Sequence, residues 1–355
     1  MKHTLLLGAA IAALSTSVLA QSYPISVVPQ GTGPYTFPDG YRSDYSKIEL
    51  KLAEKFSANL FVLRGNEGID TTHPEAAGGR SGVLFGPDGI LIVDTQYPGV
   101  GDKQLAAVRA ISTGPIKYVL NTHVHPDHVG SNATFAKQGA VIIASENLKI
   151  EMLPNPNAPP PAAGAPAAAP LDPDRLPTRT FAFDPANPGK PGTTITMNGE
   201  TVDFIPLGPG HTGGDGAIYF HKANAIFFGD VIRNFGGPFI DQGNGGSIVG
   251  AVATMDLLTK LSNDKTILAP GHGALMTKKD LVPIKAMFLD LLAKTKPLVD
   301  AGKTMQDVEK ADLLAPYAKS LPGYNQAAAD RFSDELYYEV KGLPPLENGR
   351  RVMPR

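Results

Sequence analysis

The chain has 355 residues, 42% of them hydrophobic, and a formal charge of −2 at pH 7. With 32 Lys+Arg against 34 Asp+Glu it carries no basic surplus to draw nucleic acid or an anionic membrane surface. It has no cysteine, which excludes a disulfide framework and removes thiolate from the possible metal ligands. The length allows one large domain or two smaller ones, and 38 glycines with 32 prolines predict many loops between short elements.

Residues 1–20 read as a secretory signal. Lys2 and His3 precede a hydrophobic run from Leu5 to Leu14, and Val18-Leu19-Ala20 is a small-x-small cleavage site before Gln21. The expectation is a periplasmic or secreted protein, with a charge of about −3 once Lys2 is lost. The apolar run is too short to anchor the mature chain across a bilayer, and no later segment is long and apolar enough to span one. Residues 21–46, with Pro24, Pro29, Pro34 and Pro38, read as an extended lead-in.

A main domain is expected over 47–300 and a helical extension with a tail over 301–355. Alternation begins at Ile48, Leu50 and Leu52, and Leu60 to Gly65 reads as a strand. The polar stretch from Asn66 to Gly79, containing His73, is a loop. SGVLFG and ILIVDT flank the turn Pro87-Asp88-Gly89 as a hairpin, and Asp94 closes its second strand. Asp102 to Ile111 has helical spacing, and Ile116 to Leu120 is a short buried strand. NTHVHPDHVGSN, Asn121 to Asn132, follows directly.

A helix starts near Ser131 and runs to Gln138, then come a strand from Val141 to Ala144 and a short helix from Glu146 to Met152. Pro154 to Pro170 breaks the pattern, because so many prolines prevent a helix and nothing large is there to bury. It reads as an insertion, either a solvated linker loop or a rim over the site. Four strands follow (TTITMNG, VDFIPLG, GAIYFH, NAIFFGD), with GPGHTGGD between the second and third. A helix from near Val249 to Leu261, a strand in KTILAPGHG and a long helix from Asp280 to Val299 come next. Further helices carry Leu313, Leu314, Tyr317, Phe332 and Tyr337. Two face-to-face sheets with helices on both outer sides would bury this α/β pattern best.

The chemistry concentrates at the end of the Ile116 strand, where α/β proteins usually present it. His123, His125, Asp127 and His128 crowd into six residues. Imidazole nitrogen and carboxylate oxygen suit zinc and its hard or borderline neighbours. In an extended or turning backbone His123 and His125 project to one side and share an ion, while Asp127 and His128 reach a second. His211 and His272 each follow a short strand among glycines, which let backbone come close to an ion. Asp230 ends an apolar strand, which is costly unless the carboxylate is paired or metal-bound. Five histidines and two aspartates suit two adjacent ions, the arrangement of a hydrolytic clamp.

HVHPDH resembles the HxHxDH motif of the metallo-β-lactamase superfamily, and Asp94, His211, Asp230 and His272 complete its ordered pattern across about residues 55–275. The resemblance implies an αββα four-layer sandwich with two Zn2+, or other divalent ions, at one edge of the sheets. It implies His123, His125 and His211 on the first ion, Asp127, His128 and His272 on the second, and Asp230 between them. Asp94 would lie behind them and orient the histidine loop, and Asp127 would position a hydroxide nucleophile and pass on its proton. Lactamases of the family place cysteine or serine where this chain has Asp230, whereas its thioesterases and lactonases use aspartate. His125 speaks against the flavo-diiron oxidoreductases, which have glutamate there. Arg233 stands at the offset where some family lactamases use lysine to grip a substrate carboxylate, a position that equally suits an ordinary surface arginine. The expectation is a zinc-dependent hydrolase of a small β-lactam-like cyclic amide. A lactonase, thioesterase or other ester hydrolase is the alternative, and a non-catalytic exported zinc-binding protein is the rival of another class.

Overall fold

The structure is a computed structural model that describes residues 47–65, 78–154, 171–233, 237–321 and 323–353. The expected signal, the lead-in, the His73 loop up to residue 77 and the Pro/Ala-rich insertion beyond Pro154 lie outside the described residues.

Seven strands form the first sheet, in sequential order: β1 (Leu50–Lys55), β2 (Leu60–Gly65), β3 (Ser81–Gly86), β4 (Gly89–Val93), β5 (Ile116–Leu120), β6 (Val141–Ser145) and β7 (Arg179–Phe181). β1 to β4 are an antiparallel meander, and β4 to β7 run parallel. Their connections hold α1 (Gly101–Ile111), α2 (Pro126–Val129), α3 (Asn132–Ala136) and α4 (Glu146–Met152). The second sheet has β8 (Thr193–Met197), β9 (Glu200–Pro206), β10 (Gly216–Phe220), β11 (Ala225–Phe227) and β12 (Ile267–Ala269), in the order β12-β11-β10-β9-β8. β12 joins parallel to β11, and the other pairs are antiparallel. α5 (Ile248–Leu261), α6 (Lys278–Asp300), α7 (Met305–Lys310) and α8 (Gln326–Lys341) follow.

Strand periodicity explains the layering. In β4, Leu91 and Val93 face inward with Leu60, Leu84, Leu120 and Ile143 against Phe204, Ile218, Phe220 and Phe227 of the second sheet. Ile90 and Ile92 of the same strand face outward, packed with Val108 of α1 and Phe135 of α3. A strand buried on both faces is therefore apolar at every position, as GILIV is. The outer face of the second sheet, through Ile205, Ala217, Ile226 and Leu268, packs on Met255 and Leu258 of α5 and Phe288 and Leu291 of α6. Phe332 and Leu336 of α8 join that cluster, so the chain's last helix shares a core with the second sheet. This is the αββα sandwich that the sequence predicts. Burying each such side chain stabilises the fold by roughly 1.5–3 kcal/mol.

The sheets are also tied at the end away from Asp94. The β3–β4 turn meets the β8–β9 turn, where Asp88 N donates to Asn198 Oδ1 at 2.9 Å and Asn198 N donates to Asp88 Oδ2 at 2.6 Å. A local expectation shifts. Asp280 is not the first residue of its helix; it accepts from Thr277 N at 2.7 Å, so α6 opens at Lys278. β7, three residues long and flanked by proline-rich chain, escapes the periodicity reading altogether.

Candidate metal centre

β4 and β5 run parallel, so their C-terminal ends lie side by side. Asp94 follows one and Asn121 the other, and Asp94 N donates to Leu120 O at 2.9 Å. Asp94 takes a left-handed backbone, φ 55°, which aspartate tolerates better than most residues. That turn aims its carboxylate back at the histidine loop. Oδ1 accepts from Thr122 N at 2.7 Å, Oδ2 accepts from Thr122 Oγ1 at 2.6 Å, and the same Oδ2 holds His128 Nδ1 at 2.8 Å. His123 and His125 lie in the non-helical run before α2, a single turn opened by Pro126. That turn carries Asp127 and His128 around to the other side, as the spacing implied.

The structure brings all seven predicted residues together, each of them buried. Ligand atoms of His123, His125 and His211 lie within 4.8 Å of one another, as do those of Asp127, His128 and His272, and those of His123, His128 and Asp230. His125 Nδ1 is 3.0 Å from His211 Nε2, and His272 Nε2 is 2.9 Å from Asp127 Oδ2. Asp230 stands between the groups, with Oδ1 3.6 Å from His128 Nε2 and Oδ2 3.4 Å from His272 Nε2. Glycine permits this crowding: a Cβ on Gly271 would fall 2.1 Å from Asp230 Oδ1, and one on Gly229 (φ 59°) 2.9 Å from His123 Nδ1.

The outward nitrogens decide what the inward ones can do. His128 Nδ1 donates to Asp94, His125 Nε2 to Asp241 Oδ2 at 2.8 Å, and His211 Nδ1 to Phe239 O at 2.8 Å. Thr122 Oγ1, already a donor to Asp94, is left to accept from His123 Nδ1 at 3.1 Å. With the protons assigned by this network, the opposite nitrogens of His123, His125 and His211 carry bare lone pairs that converge. His123 Nε2 and Asp230 Oδ1 are buried with no hydrogen-bond partner. Converging lone pairs repel one another, and buried unpartnered acceptors are costly, so the donor set fits a cation held among them.

The electrostatics agree. Burial, then the neighbouring imidazoles, holds His123 well below its ordinary value, and burial with His125 lowers His211 to about 3. Burial opposes charge on Asp127, yet His128 and His272 keep its carboxyl well below the usual range. His128 is the exception: burial lowers it, but Asp127, Asp94 and Asp230 together raise it well above normal. A cation entering here would displace that proton.

Several contributors lie outside the set that the sequence predicts. The Arg80 guanidinium is buried, donates to Pro270 O, and reaches Gly273 O at 2.8 Å, so it grips both sides of the turn that presents His272. Burial pushes it down to about 10. Asp215 accepts from His211 N at 2.6 Å and from Thr212 N at 3.0 Å, and burial pushes it up to about 7. Its place four residues after His211 was a usable sign, since a short acceptor there closes a tight turn. Phe239 stacks on His125, with ring centroids 5.8 Å apart and planes at 11°. Arg233, half-buried, places its guanidinium carbon 5.9 Å from the centroid of that same Phe239 ring.

The fold recurs among solved structures. A metallo-β-lactamase from Pontibacter korlensis superposes with a TM-score of 0.51 at 16% identity, covering 68% of this chain and all of that one. The metallo-β-lactamase FIM-1 from Pseudomonas aeruginosa, in its mono-zinc form, gives 0.49 at 15% identity over 69% of this chain and 97% of its own. In sequence, the 2,4-dinitroanisole O-demethylase subunit alpha of Nocardioides sp. (strain JS1661) is 26% identical over 161 residues, which is 45% of this chain and 42% of that relative. The sequence profile of the Metallo-beta-lactamase superfamily matches residues 76–272, more than half of the chain and all seven clustered residues. The chain therefore belongs to the metallo-β-lactamase superfamily.

Proposed function

We propose that this metal-dependent hydrolase uses two zinc ions to open a small cyclic amide of β-lactam type that bears a carboxylate. The observation that carries the reading is the convergence of bare imidazole nitrogens and carboxylate oxygens in adjoining groups. His123, His125 and His211 would hold one ion, Asp127, His128 and His272 the other, and Asp230 would touch both. Zinc suits this nitrogen and oxygen set, which contains no thiolate. Such ions supply Lewis acidity and a source of hydroxide near neutral pH.

The chain's own residues do the rest. Asp127, which a cation beside it would hold ionised, takes a proton from the attacking water and returns one to the leaving nitrogen as the carbonyl carbon–nitrogen bond breaks. Asp94 fixes the tautomer and orientation of His128. Phe239 covers the face of His125, and Arg233 beyond that ring would receive the substrate carboxylate.

One observation favours a second reading, hydrolysis of a lactone, thioester or other ester. Asp230 occupies the shared position where lactamases of the family carry cysteine or serine. The sequence relative named as an O-demethylase subunit also points to work at oxygen, within the limits of a match over 42% of its length.

The deciding experiment assays metal-free and zinc-loaded protein on a penicillin, a cephalosporin, a carbapenem, acyl-homoserine lactones and a neutral ester, beside Arg233→Ala. The proposal expects turnover only with zinc, and a larger loss of kcat/KM in the variant for carboxylate-bearing lactams than for the ester. Turnover confined to lactones or esters, with Arg233→Ala silent, selects the second reading. Stoichiometric zinc with no turnover on any of them leaves a metal-binding protein. The N-terminal segment adds export to the proposal, checked by whether protein from an exported fraction begins at Gln21.

A further inference from the structure

The profile match ends at residue 272, yet the metal centre is buttressed from beyond residue 330. The segment from Gly237 to Ser247 is the intermediary. Its Phe239 O accepts from His211 Nδ1, its Asp241 carboxylate holds His125 Nε2, and Asp241 N donates to His211 O at 2.8 Å. One short loop thus fixes the outward nitrogens of two histidines whose inward nitrogens face each other at 3.0 Å. Asp241 is itself steadied by Asn244, whose N reaches Oδ1 at 3.0 Å and whose Nδ2 reaches Oδ2 at 2.8 Å.

The loop does not hold itself. Glu335 Oε2 accepts from Ile240 N at 2.8 Å, and Gln242 Nε2 donates to Glu335 O at 2.8 Å and Glu339 Oε2 at 3.0 Å. Glu339 also accepts from Ser247 Oγ, Ile248 N and Val249 N at 2.7–3.1 Å, closing the start of α5 where the loop ends. From the tail, Arg351 N donates to Gly243 O at 2.8 Å and Arg351 Nη1 to Gly246 O at 2.8 Å and Gln242 O at 3.2 Å. The polar backbone of a buried loop must find partners, and α8 with the tail supplies them here.

We infer that Asp241 is a positioning residue for the His123/His125/His211 group, and that the C-terminal extension serves the metal centre by holding Asp241 in place. The inference rests on the reading of the seven residues as a two-metal site. By accepting the Nε2 proton of His125, Asp241 leaves Nδ1 as the free ligand atom and fixes the ring plane. The loop's contacts with metal-centre histidines go to His125 and His211, both of the three-histidine group, so the effect is expected first at that site.

The test measures both zinc affinities by competition with a chromophoric chelator, and cadmium-113 NMR of cadmium-loaded protein reports which site changes. Asp241→Ala is expected to weaken the three-histidine site about 10–100-fold while the other site changes by much less. Asp241→Asn, nearly isosteric, has one oxygen for both Asn244 N and His125 Nε2 and should also lose affinity at the same site; it stands in if the alanine variant does not fold. Glu339→Gln should show the same selectivity at reduced amplitude, and unchanged affinities there overturn the role of the extension. Equal losses at both sites, or none in either Asp241 variant, overturn the positioning role. Unaltered protein that binds no metal overturns the two-metal reading itself, and this inference with it.

Discussion

Asp94 and His128, 34 residues apart in the chain, meet at 2.8 Å through Oδ2 and Nδ1 with both side chains buried. The same carboxylate accepts from Thr122 N and Oγ1, so one residue at the end of β4 orders the loop that leaves β5.

Substituting Asp94 separates geometry from charge. Asp94→Asn keeps a residue that tolerates φ 55° and one oxygen for Thr122. Its amide NH2 then faces the His128 Nδ1 proton, which forces the imidazole to the other tautomer and puts a proton on Nε2. We expect the Asp127/His128/His272 site to lose about 10–100-fold in zinc affinity, and the metal-free protein to lose less stability than it does with alanine at this position. Asp94→Ala should lose as much affinity and also about 3–5 kcal/mol of stability, from three orphaned donors and a strained backbone. Chelator competition and urea unfolding of both variants check this.

Arg80 fastens the far side of the centre. In Arg80→Met, Pro270 O and Gly273 O lose a buried donor, at about 1–3 kcal/mol each. Urea unfolding of metal-free protein should show a loss of roughly 2–4 kcal/mol. Arg80→Lys should recover only part, because an ammonium reaches one carbonyl where the guanidinium fork spans both. A fully stable lysine variant would mean that the second carbonyl finds another donor.

Stability should fall as the medium turns alkaline, for a reason outside the metal centre. Burial first, then the Glu309 carboxylate, raises Asp334 from 3.8 to about 8. The folded chain therefore keeps a proton that the unfolded chain has already released. The fold carries no ionisation cost below about pH 4 and an increasing one as pH rises through about 8. Glu335 and Glu151, raised well above 4.5 chiefly by burial, act in the same direction. Asp334→Asn should flatten the decline in thermal midpoint between pH 6 and pH 9, measured on metal-free protein so that ligand titration at the centre stays separate. An unchanged slope would remove Asp334 as a contributor.

The amino-acid sequence determined the layers and the ligand-bearing turns because both are written in local pattern. GILIV is apolar at every position since both faces of β4 are covered, and Glu146–Met152 is a helix within the bounds its spacing gives. His123, His125, Asp127 and His128 are legible because one extended run and one proline-opened turn put four ligands on two sides without help from elsewhere. His211, Asp230 and His272 are legible because each ends or follows a strand among glycines. What holds these residues was decided only in three dimensions. Arg80 reaches Gly273 across 193 positions and His125 meets Asp241 across 116, and no periodicity encodes such a distance. A buried arginine and a loop aspartate look like surface residues until packing strips away their water, and only the folded sheets bring the carbonyls and imidazoles that replace it. The place of α8 was hidden for the same reason: its apolar stripe marks a helix that packs, but the second sheet and the loop after Asp230 are what it packs against.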